Sequence, residues 1–219
     1  MRSSPAPVST DGFGNGTINL AFSVPSTIQL AASGINIADP TGNGAATLTT
    51  IAGGTVITLG SQNNVIDGFI LDGGQRGIND NGAGATNTVV SNMTIRNFSG
   101  TGIEITPSTN TTISGVTFVG NFSDILLNAA NSTLSNITST GSLSTSITLN
   151  DVTGTTTLTD ISIANAISGG ISFSGTTGPG GTIVGTNVDI SGPNGLATAL
   201  AISGGAGTFT FDANSSINT

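Results

Sequence analysis

The stretch Ile66-Asp67-Gly68-Phe69-Ile70-Leu71-Asp72-Gly73 decides the fold, because its pattern returns along the chain. The pattern reads apolar, polar, turn residue, apolar, any, apolar, any, turn residue. Further copies begin at Val90, Ile113, Leu134, Leu158 and Gly185, and the last copy lacks only the first apolar residue. Self-similarity of this kind is typical of repeat proteins, in which each repeat buries its apolar face against its neighbours.

Two positions in each copy carry residue types that adopt the left-handed conformation at low cost. The third positions are Gly68, Asn92, Gly115, Asn136, Asp160 and Asn187, which gives spacings of 24, 23, 21, 24 and 27 residues. The eighth positions are Gly73, Asn97, Gly120, Gly141, Asn165 and Gly192. We therefore predict that every copy is a short strand between two tight turns.

A second set of short apolar-x-apolar segments follows the copies. These segments are Ile103–Ile105, Ile125–Leu127, Ile147–Leu149, Ile171–Phe173 and Leu200–Ile202, and upstream Ile35–Ile37, Ile57–Leu59 and Ile78–Asp80. Strands this short do not suit an ordinary sandwich, but they suit a coil in which each strand pairs in parallel with its copy about 4.8 Å away. The prediction is an all-β, single-stranded parallel β-helix of about eight coils, with three short strands in each coil.

The strand and turn pattern resembles right-handed parallel β-helix proteins of the pectate-lyase-like superfamily, over roughly residues 34–212. This resemblance implies a ladder of stacked turn residues that contains Asn92, Asn136 and Asn187. It leaves the activity open, since the fold hosts lyases, hydrolases, phage spikes and surface adhesins. The segments Phe118-Val119-Gly120-Asn121 and Gly169-Gly170-Ile171 also resemble passenger repeats of bacterial surface autotransporters.

The chain divides into three parts by composition and period. Residues 1–16 are rich in Pro, Ser and Gly and are predicted to be a flexible arm. Residues 17–33 contain segments in which apolar and polar residues alternate as in strands, but their spacing does not fit the later repeat. We therefore expect cap strands that protect the open end of the solenoid. Residues 34–219 are the predicted β-helix. Its last coil reads as incomplete, which indicates either a fragment of a longer solenoid or an open end that meets another molecule, as in a homo-oligomer or filament.

Composition excludes several classes of function. The net charge is −8, with three Lys and Arg residues in total and no His, so nucleic-acid binding is excluded for want of clustered cations. The chain has no Cys, which removes disulfides, thiolate catalysis and zinc fingers. No apolar run reaches the length of a membrane span. Repeats without Cys or Lys that are rich in Ser, Thr and Asn favour an extracellular or cell-surface location.

Charged residues that are candidates for chemistry gather between residues 67 and 104. They are Asp67, Asp72, Asp80, Arg96 and Glu104. Asp72 and Arg96 share one template position on adjacent coils, so we expect an ion pair, and Glu104 is expected beside Asn79. A polysaccharide lyase would use such carboxylates to hold Ca²⁺ and the arginine as a base. An exposed charge ladder without catalytic role is the alternative interpretation.

The residue inventory favours a structural role over catalysis. The chain lacks His, Lys, Trp and Tyr, so the histidine of polygalacturonases and the usual aromatic sugar platforms are missing. The main hypothesis is therefore a structural or adhesive β-solenoid segment that is not an enzyme, holds no cofactor or metal, and takes a carbohydrate or host-surface ligand. The alternative is a polysaccharide lyase or phage-type depolymerase, with Ca²⁺ as its only expected cofactor. Ice binding is disfavoured, because coil lengths vary and Thr-x-Thr pairs are not expected in register.

Overall fold

The protein is a parallel β-helix in the computed structural model. The structure describes residues 17–19, 24–25, 28–29, 36–38, 47–49, 54–175, 179–192, 198–204 and 206–218. These residues form 23 strands in two sheets, and every strand pairing is parallel. The predicted all-β, right-handed parallel β-helix is therefore confirmed.

The strands lie on three faces. The first face contains β1 (Thr17–Asn19), β4 (Asn36–Ala38), β7 (Val65–Asp67), β11 (Val89–Ser91) and β22 (Ala206–Phe211). The second contains β2 (Val24–Pro25), β5 (Thr47–Thr49), β8 (Ile70–Gly74), β12 (Thr94–Phe98) and β23 (Ser216–Ile217). Four long strands continue from the first face onto the second: β14 (Thr112–Val119), β16 (Thr133–Thr140), β18 (Thr155–Ala164) and β20 (Pro179–Ser191).

The third face is a separate sheet. It contains β3 (Ile28–Gln29), β6 (Thr55–Thr58), β9 (Arg76–Asn79), β13 (Thr101–Thr109), β15 (Ser123–Ala130), β17 (Thr145–Thr153), β19 (Gly169–Ser174) and β21 (Thr198–Ser203). The short strand β10 (Ala85–Thr86) pairs with the end of β13. Together the three faces complete about six turns, not the eight that were expected. The third face does have eight successive strands, but the first and last turns are interrupted by residues outside the described ranges.

The core consists of stacked apolar columns, one or two from each face. On the third face the column Ile57, Ile78, Ile103, Ile125, Ile147 and Ile171 is fully buried. On the first face the column is Ile66, Val90, Ile113, Leu134 and Leu158. Burial of each such side chain contributes about 1.5–3 kcal/mol, so the columns supply most of the favourable free energy that offsets the entropy lost on folding.

Gly185 explains why the last copy of the template lacks its first apolar residue. It occupies the first-face core column, where it pairs with Leu158 on one side and Phe211 on the other. A Cβ atom at Gly185 would lie 2.3 Å from Cδ1 of Phe211, so the ring occupies the space that a side chain would need. The missing apolar residue is thus replaced by Phe211 from the next coil.

The turn residues adopt the predicted backbone. Asn92, Asn136, Asp160 and Asn187 have φ between 52° and 54°, and Gly68 and Gly115 are also positive. The eighth template positions are likewise left-handed throughout. The side chains of Asn92 and Asn136 are exposed, however, and the first-corner ladder is confined to the pairs Asn92 with Asp67 and Asn187 with Asp160. Gly68 and Gly115 interrupt the ladder because glycine has no side-chain amide that could hydrogen-bond to the next coil.

A longer asparagine ladder lies at the third corner, between the third and first faces. Asn87 Nδ2 donates to Asn63 Oδ1, and Asn110 Nδ2 donates to Asn87 Oδ1, both at 3.0 Å. All three residues have φ between 51° and 56°. The spacings of 24 and 23 residues could have identified this ladder from the sequence.

Two predictions concern the N-terminal coils. Ile35–Ile37 was expected on the third face, but β4 pairs with β7 on the first face. The prediction is wrong because the coil between β4 and β7 is longer than the regular period. Within residues 17–33, β1, β2 and β3 pair in parallel with β4, β5 and β6. The arm at 1–16 lies outside the described residues, and the predicted domain limits, the incomplete last coil and the association through the ends stay predictions.

No helix in the described part of the chain is long and apolar enough to cross a membrane.

Candidate functional site at the second corner

The second corner, between the second and third faces, brings together four charged residues. We call Asp72, Arg76, Arg96 and Glu104 the charged corner. Asp72 and Arg96 pair across β8 and β12 at the end of the second face, and Arg76 and Glu104 lie on β9 and β13 at the start of the third. The corner thus has two cations and two carboxylates on neighbouring coils.

The Asp72–Arg96 pair follows from the template, as expected. Arg96 donates from Nε at 3.0 Å and from Nη2 at 2.8 Å to Asp72 Oδ2. Asn97 Nδ2 donates to the other oxygen at 2.7 Å. Partial burial raises the pKa of Asp72, but the hydrogen bonds from Asn97 and Arg96 and the Arg96 charge outweigh it, so the net pKa is lowered. Asp72 is therefore an ionised acceptor and is poorly suited to act as a general acid.

We expect Arg96→Gln to change the free energy of unfolding only slightly. The side chains of Arg96 and Asp72 are 43% and 30% exposed, and exposed ion pairs contribute less than about 1 kcal/mol. Urea unfolding followed by circular dichroism measures the change. A loss well beyond that range would show that the pair stabilises the corner and is not an exposed charge ladder.

The second pair, Arg76 with Glu104, crosses from one coil to the next. Arg76 Nε lies 2.6 Å from Glu104 Oε2, and the side chains are 35% and 18% exposed. The backbone of Glu104 pairs with that of Asn79, as predicted, and Asn79 Nδ2 donates to the Glu104 carbonyl at 3.3 Å. Glu104 is thereby held at the rim of the corner, with its carboxylate directed to Arg76.

An apolar ridge continues the second corner along the next coils. Phe122, Leu143 and Ile167, which we call the apolar ridge, are 48%, 52% and 52% exposed. The backbone stacks them, because Leu143 N donates to Asn121 O and Ile167 N donates to Ser142 O. Successive ridge side chains are thus about one coil, roughly 4.8 Å, apart. Composition did not reveal the ridge, since the residues become neighbours only through the coil register.

Asp67 and Asp80 lie elsewhere. Asp67 is at the first corner, where it accepts hydrogen bonds from Ser91 Oγ at 2.6 Å and Asn92 Nδ2 at 2.8 Å. Asp80 is 1% exposed, and its carboxylate accepts backbone N–H groups from residues 82, 84, 85 and 106. Asp80 therefore closes the loop that follows β9. Of the five predicted residues, the structure pairs Asp72 with Arg96 and places Glu104 in a second ion pair at the same corner.

A buried polar cluster lies inside the second corner, one coil beyond the charged residues. Asp124 is 1% exposed and accepts hydrogen bonds from the hydroxyls of Ser139 and Ser142, both at 2.5 Å, and from Asn121 Nδ2 at 2.9 Å. Ser146 donates to Ser142 at 3.0 Å. Ser139 occupies a core column between Phe118 and Ile163, where the other coils carry apolar residues. Sequence reasoning missed the cluster, although a serine in an apolar column was a visible signal.

Asp124 should make stability depend on pH. Burial raises the pKa of Asp124, and the hydrogen bonds from Ser139, Ser142, Asn121 and Ser146 offset only part of this rise. A raised carboxyl pKa contributes stability below the unfolded value of 3.8, and that stability is lost as the pH rises through the folded pKa. We expect Asp124→Asn to remove this loss, so the variant gains stability relative to the wild type as the pH rises above 3.8.

Urea unfolding of the wild type and Asp124→Asn at several pH values checks this. The lowered pKa of Asp72 acts in the opposite direction, below 3.8, and is common to both proteins. Curves of unfolding free energy against pH that run parallel above pH 3.8 would show that Asp124 does not titrate as inferred.

The described residues contain no group of three or more acidic, His or Cys side chains placed to hold a metal ion. At the charged corner each carboxylate is already engaged by an arginine. Ca²⁺ binding, which the enzyme alternative would use, therefore stays an expectation from the sequence.

No protein-family profile and no curated protein matches the chain. Two solved structures match it over its whole length, both catalytic domains of a GH87 alpha-1,3-glucanase. The complex with tetrasaccharides has a TM-score of 0.37, 12% identity and 69% of its chain covered, and the complex with nigerose has 0.34, 12% and 68%.

This finding corrects the expectation that the chain is not an enzyme. The expectation rested on missing residue types, and the matched chains are catalytic domains. A residue inventory is also a weak basis for it, since glycoside hydrolysis needs only two carboxylates. At these TM-scores the likeness says nothing about the substrate of this chain.

Proposed function

We propose that the protein recognises a polysaccharide along its second corner. The observation that carries the proposal is the continuity of the charged corner with the apolar ridge on one edge of the rod. The charged corner offers carboxylate and guanidinium groups that are partly exposed. The ridge offers exposed apolar side chains, among them the ring of Phe122. A linear ligand that follows the axis of the rod meets both.

Sugars match this surface because each ring has hydroxyl groups at its edge and apolar C–H groups on its faces. Charged groups form the stronger hydrogen bonds to hydroxyls, and an exposed aromatic ring packs against an apolar face. The coil repeat of about 4.8 Å sets similar side chains along the axis at regular intervals. The proposal includes an extracellular or cell-surface location, which the low content of charged residues and the absence of Cys support.

Polysaccharide cleavage is the second candidate function. The observation that favours it is the pair of carboxylates on neighbouring coils, Asp72 and Glu104, which are partly exposed at the same corner. Glycoside hydrolases place two carboxyl groups about 5–10 Å apart across the scissile bond. Glu104 is the better candidate for the acid, since Asp72 has a lowered pKa and two hydrogen-bond donors that hold it ionised.

The test combines binding and product analysis. The full chain is incubated with insoluble α-1,3-glucan, and with alginate and polygalacturonate as acidic polymers, and bound protein and new reducing ends are measured. We expect Phe122→Ser to weaken binding. Thr148→Ala, on the outer side of the third face, is the matched control and should bind like the wild type.

The outcomes separate the two candidates. Binding without new reducing ends supports recognition alone, whereas reducing ends that disappear in Glu104→Gln support cleavage of the polysaccharide. Circular dichroism must show that each variant keeps its β-structure. If no polymer binds, or if Phe122→Ser binds as well as the wild type, the proposal for this corner is wrong.

A further inference from the structure

The first face carries an ordered array of hydroxyl groups, on a different side of the rod from the second corner. Two outward columns run through β14, β16 and β18. One contains Thr112, Thr133 and Thr157, and the other contains Ser114, Ser135 and Thr159. We call these six residues the hydroxyl array. Only Thr157 and Thr159 form a Thr-x-Thr pair, since Ser114 and Ser135 stand in the second column, but the hydroxyl pairs of the three strands are in register.

The strand register is constant on this face because the additional residues of the longer coils lie outside it. Thr112 and Thr133 are 21 residues apart, whereas Thr133 and Thr157 are 24 apart, yet all three are paired Cα to Cα. The second column continues to Thr186 after a coil of 27 residues. The extra residues therefore lie in the connections around the other faces, and the first face keeps a constant lattice.

The lattice has two fixed spacings. Neighbouring coils are about 4.8 Å apart, and the two residues of a pair are about 6.6 Å apart along the strand, twice the rise per residue. Thr133 is exposed and the other five side chains are half-buried by their neighbours in the array. None of the six hydroxyls hydrogen-bonds to another residue described in the structure. The array therefore presents free hydroxyls, and on its threonines methyl groups, in a repeating arrangement.

The array carries no charge and no aromatic ring. Charged groups hold water in oriented shells that do not fit a regular lattice. In the second column they lie beyond the array, at Asp67 and Asp212, and exposed Asp160 follows Thr159 at the first corner. A crystalline polysaccharide would be expected to use aromatic rings that stack on sugar faces. A face of hydroxyl and methyl groups instead orders water at the spacings of the protein lattice.

We propose that the hydroxyl array binds the surface of ice. A rigid and periodic surface selects a ligand that is itself periodic, and ordered water bridges protein hydroxyls at little energetic cost. The rigidity comes from the parallel pairing on both sides of β16, which joins β14 and β18 over seven residue pairs each. The ligand class is solid water, independent of any sugar bound at the second corner.

The test is ice-affinity partition of the full chain, with ice recrystallisation as a second readout. A cold surface is frozen slowly in a dilute solution, and the fraction of protein incorporated into the ice is compared with that of an inert protein. We expect the wild type to be incorporated and to slow recrystallisation. Thr133→Lys places a flexible charge in the middle of the array and should lose both effects.

Controls make the result decisive. Thr148→Lys introduces the same charge on the third face and should behave like the wild type. Thr157→Lys, one coil further in the same column, repeats the test at a second position, and circular dichroism confirms the fold of all three. Exclusion of the wild type from ice, equal incorporation of Thr133→Lys, or adsorption to microcrystalline cellulose through the same residues would each overturn the proposal.

Discussion

Ile137→Asp is expected to abolish the cooperative unfolding transition of the β-helix at neutral pH. Ile137 is 1% exposed and lies in a core column between Val116 and Ile161. An aspartate there would be either ionised without a partner or protonated with an unpaired carboxyl group among apolar side chains, and either state costs several kcal/mol. Native domains are stable by only about 5–15 kcal/mol, so one such substitution removes a large share of the total.

The position makes the effect larger. In a solenoid each coil contacts only its neighbours, so a disrupted central coil uncouples the coils on either side. Thr138→Asp is the matched control, since it adds the same charge one residue later, at an exposed position on the same strand. Thermal unfolding followed by circular dichroism distinguishes them. If Ile137→Asp melts like Thr138→Asp, the assignment of inward and outward residues is wrong.

Much of the fold could be predicted because its signals are local and repeated. Left-handed turns need Gly, Asn or Asp, so turn positions such as Asn92 and Gly120 were visible in the sequence and have positive φ. Alternation between them specified which side chains point inward. The Asp72–Arg96 pair followed from the same register, since the residues are 24 apart and share a template position.

Features that depend on two coils of different length were harder to predict. Arg76 and Glu104 are 28 residues apart, which is not the period of their coil, so their ion pair is a diagonal contact across the corner. The apolar ridge likewise needs the backbone bonds of Leu143 and Ile167 to place its members in line. Ice binding was disfavoured because coil lengths vary and Thr-x-Thr pairs are not repeated in register. The hydroxyl array has register because the length variation lies outside the first face, and Ser114 and Ser135 take the place of threonines in it.

Buried polar residues were missed for another reason. Asp80 and Asp124 were indistinguishable by type from exposed carboxylates, and Asp80 was assigned to a possible catalytic group. Burial is set by neighbours: Asp80 is covered because a loop wraps it with backbone N–H groups, and Asp124 faces serines in the core. A carboxylate in a solenoid therefore needs its partners in the next coil before a function can be assigned to it.

Asn121→Ala should cause the second-largest loss of stability. Asn121 is fully buried, and its side chain satisfies two backbone groups of the preceding coil. Phe98 N donates to Asn121 Oδ1, and Asn121 Nδ2 donates to Ile95 O, both at 3.0 Å. Each buried polar group left without a partner costs about 1–3 kcal/mol, so the two together predict a loss of about 2–6 kcal/mol.

The pH dependence of variants at this position tests the whole cluster. Asn121→Asp keeps the size of the side chain but loses the amide donor. It also places a second carboxyl beside Asp124, whose Oδ1 accepts a hydrogen bond from Asn121 Nδ2 at 2.9 Å in the wild type. Because two adjacent carboxylates cannot both ionise cheaply, this variant should lose further stability as the pH rises above 3.8. Asn128→Ala, a half-buried site on β15, is the control for a simple loss of asparagine. If Asn121→Ala and Asn128→Ala unfold at the same urea concentration, the side-chain amide of Asn121 does not stabilise the contact between the coils. Water would then hydrogen-bond to the backbone N–H of Phe98 and the carbonyl of Ile95 in the variant.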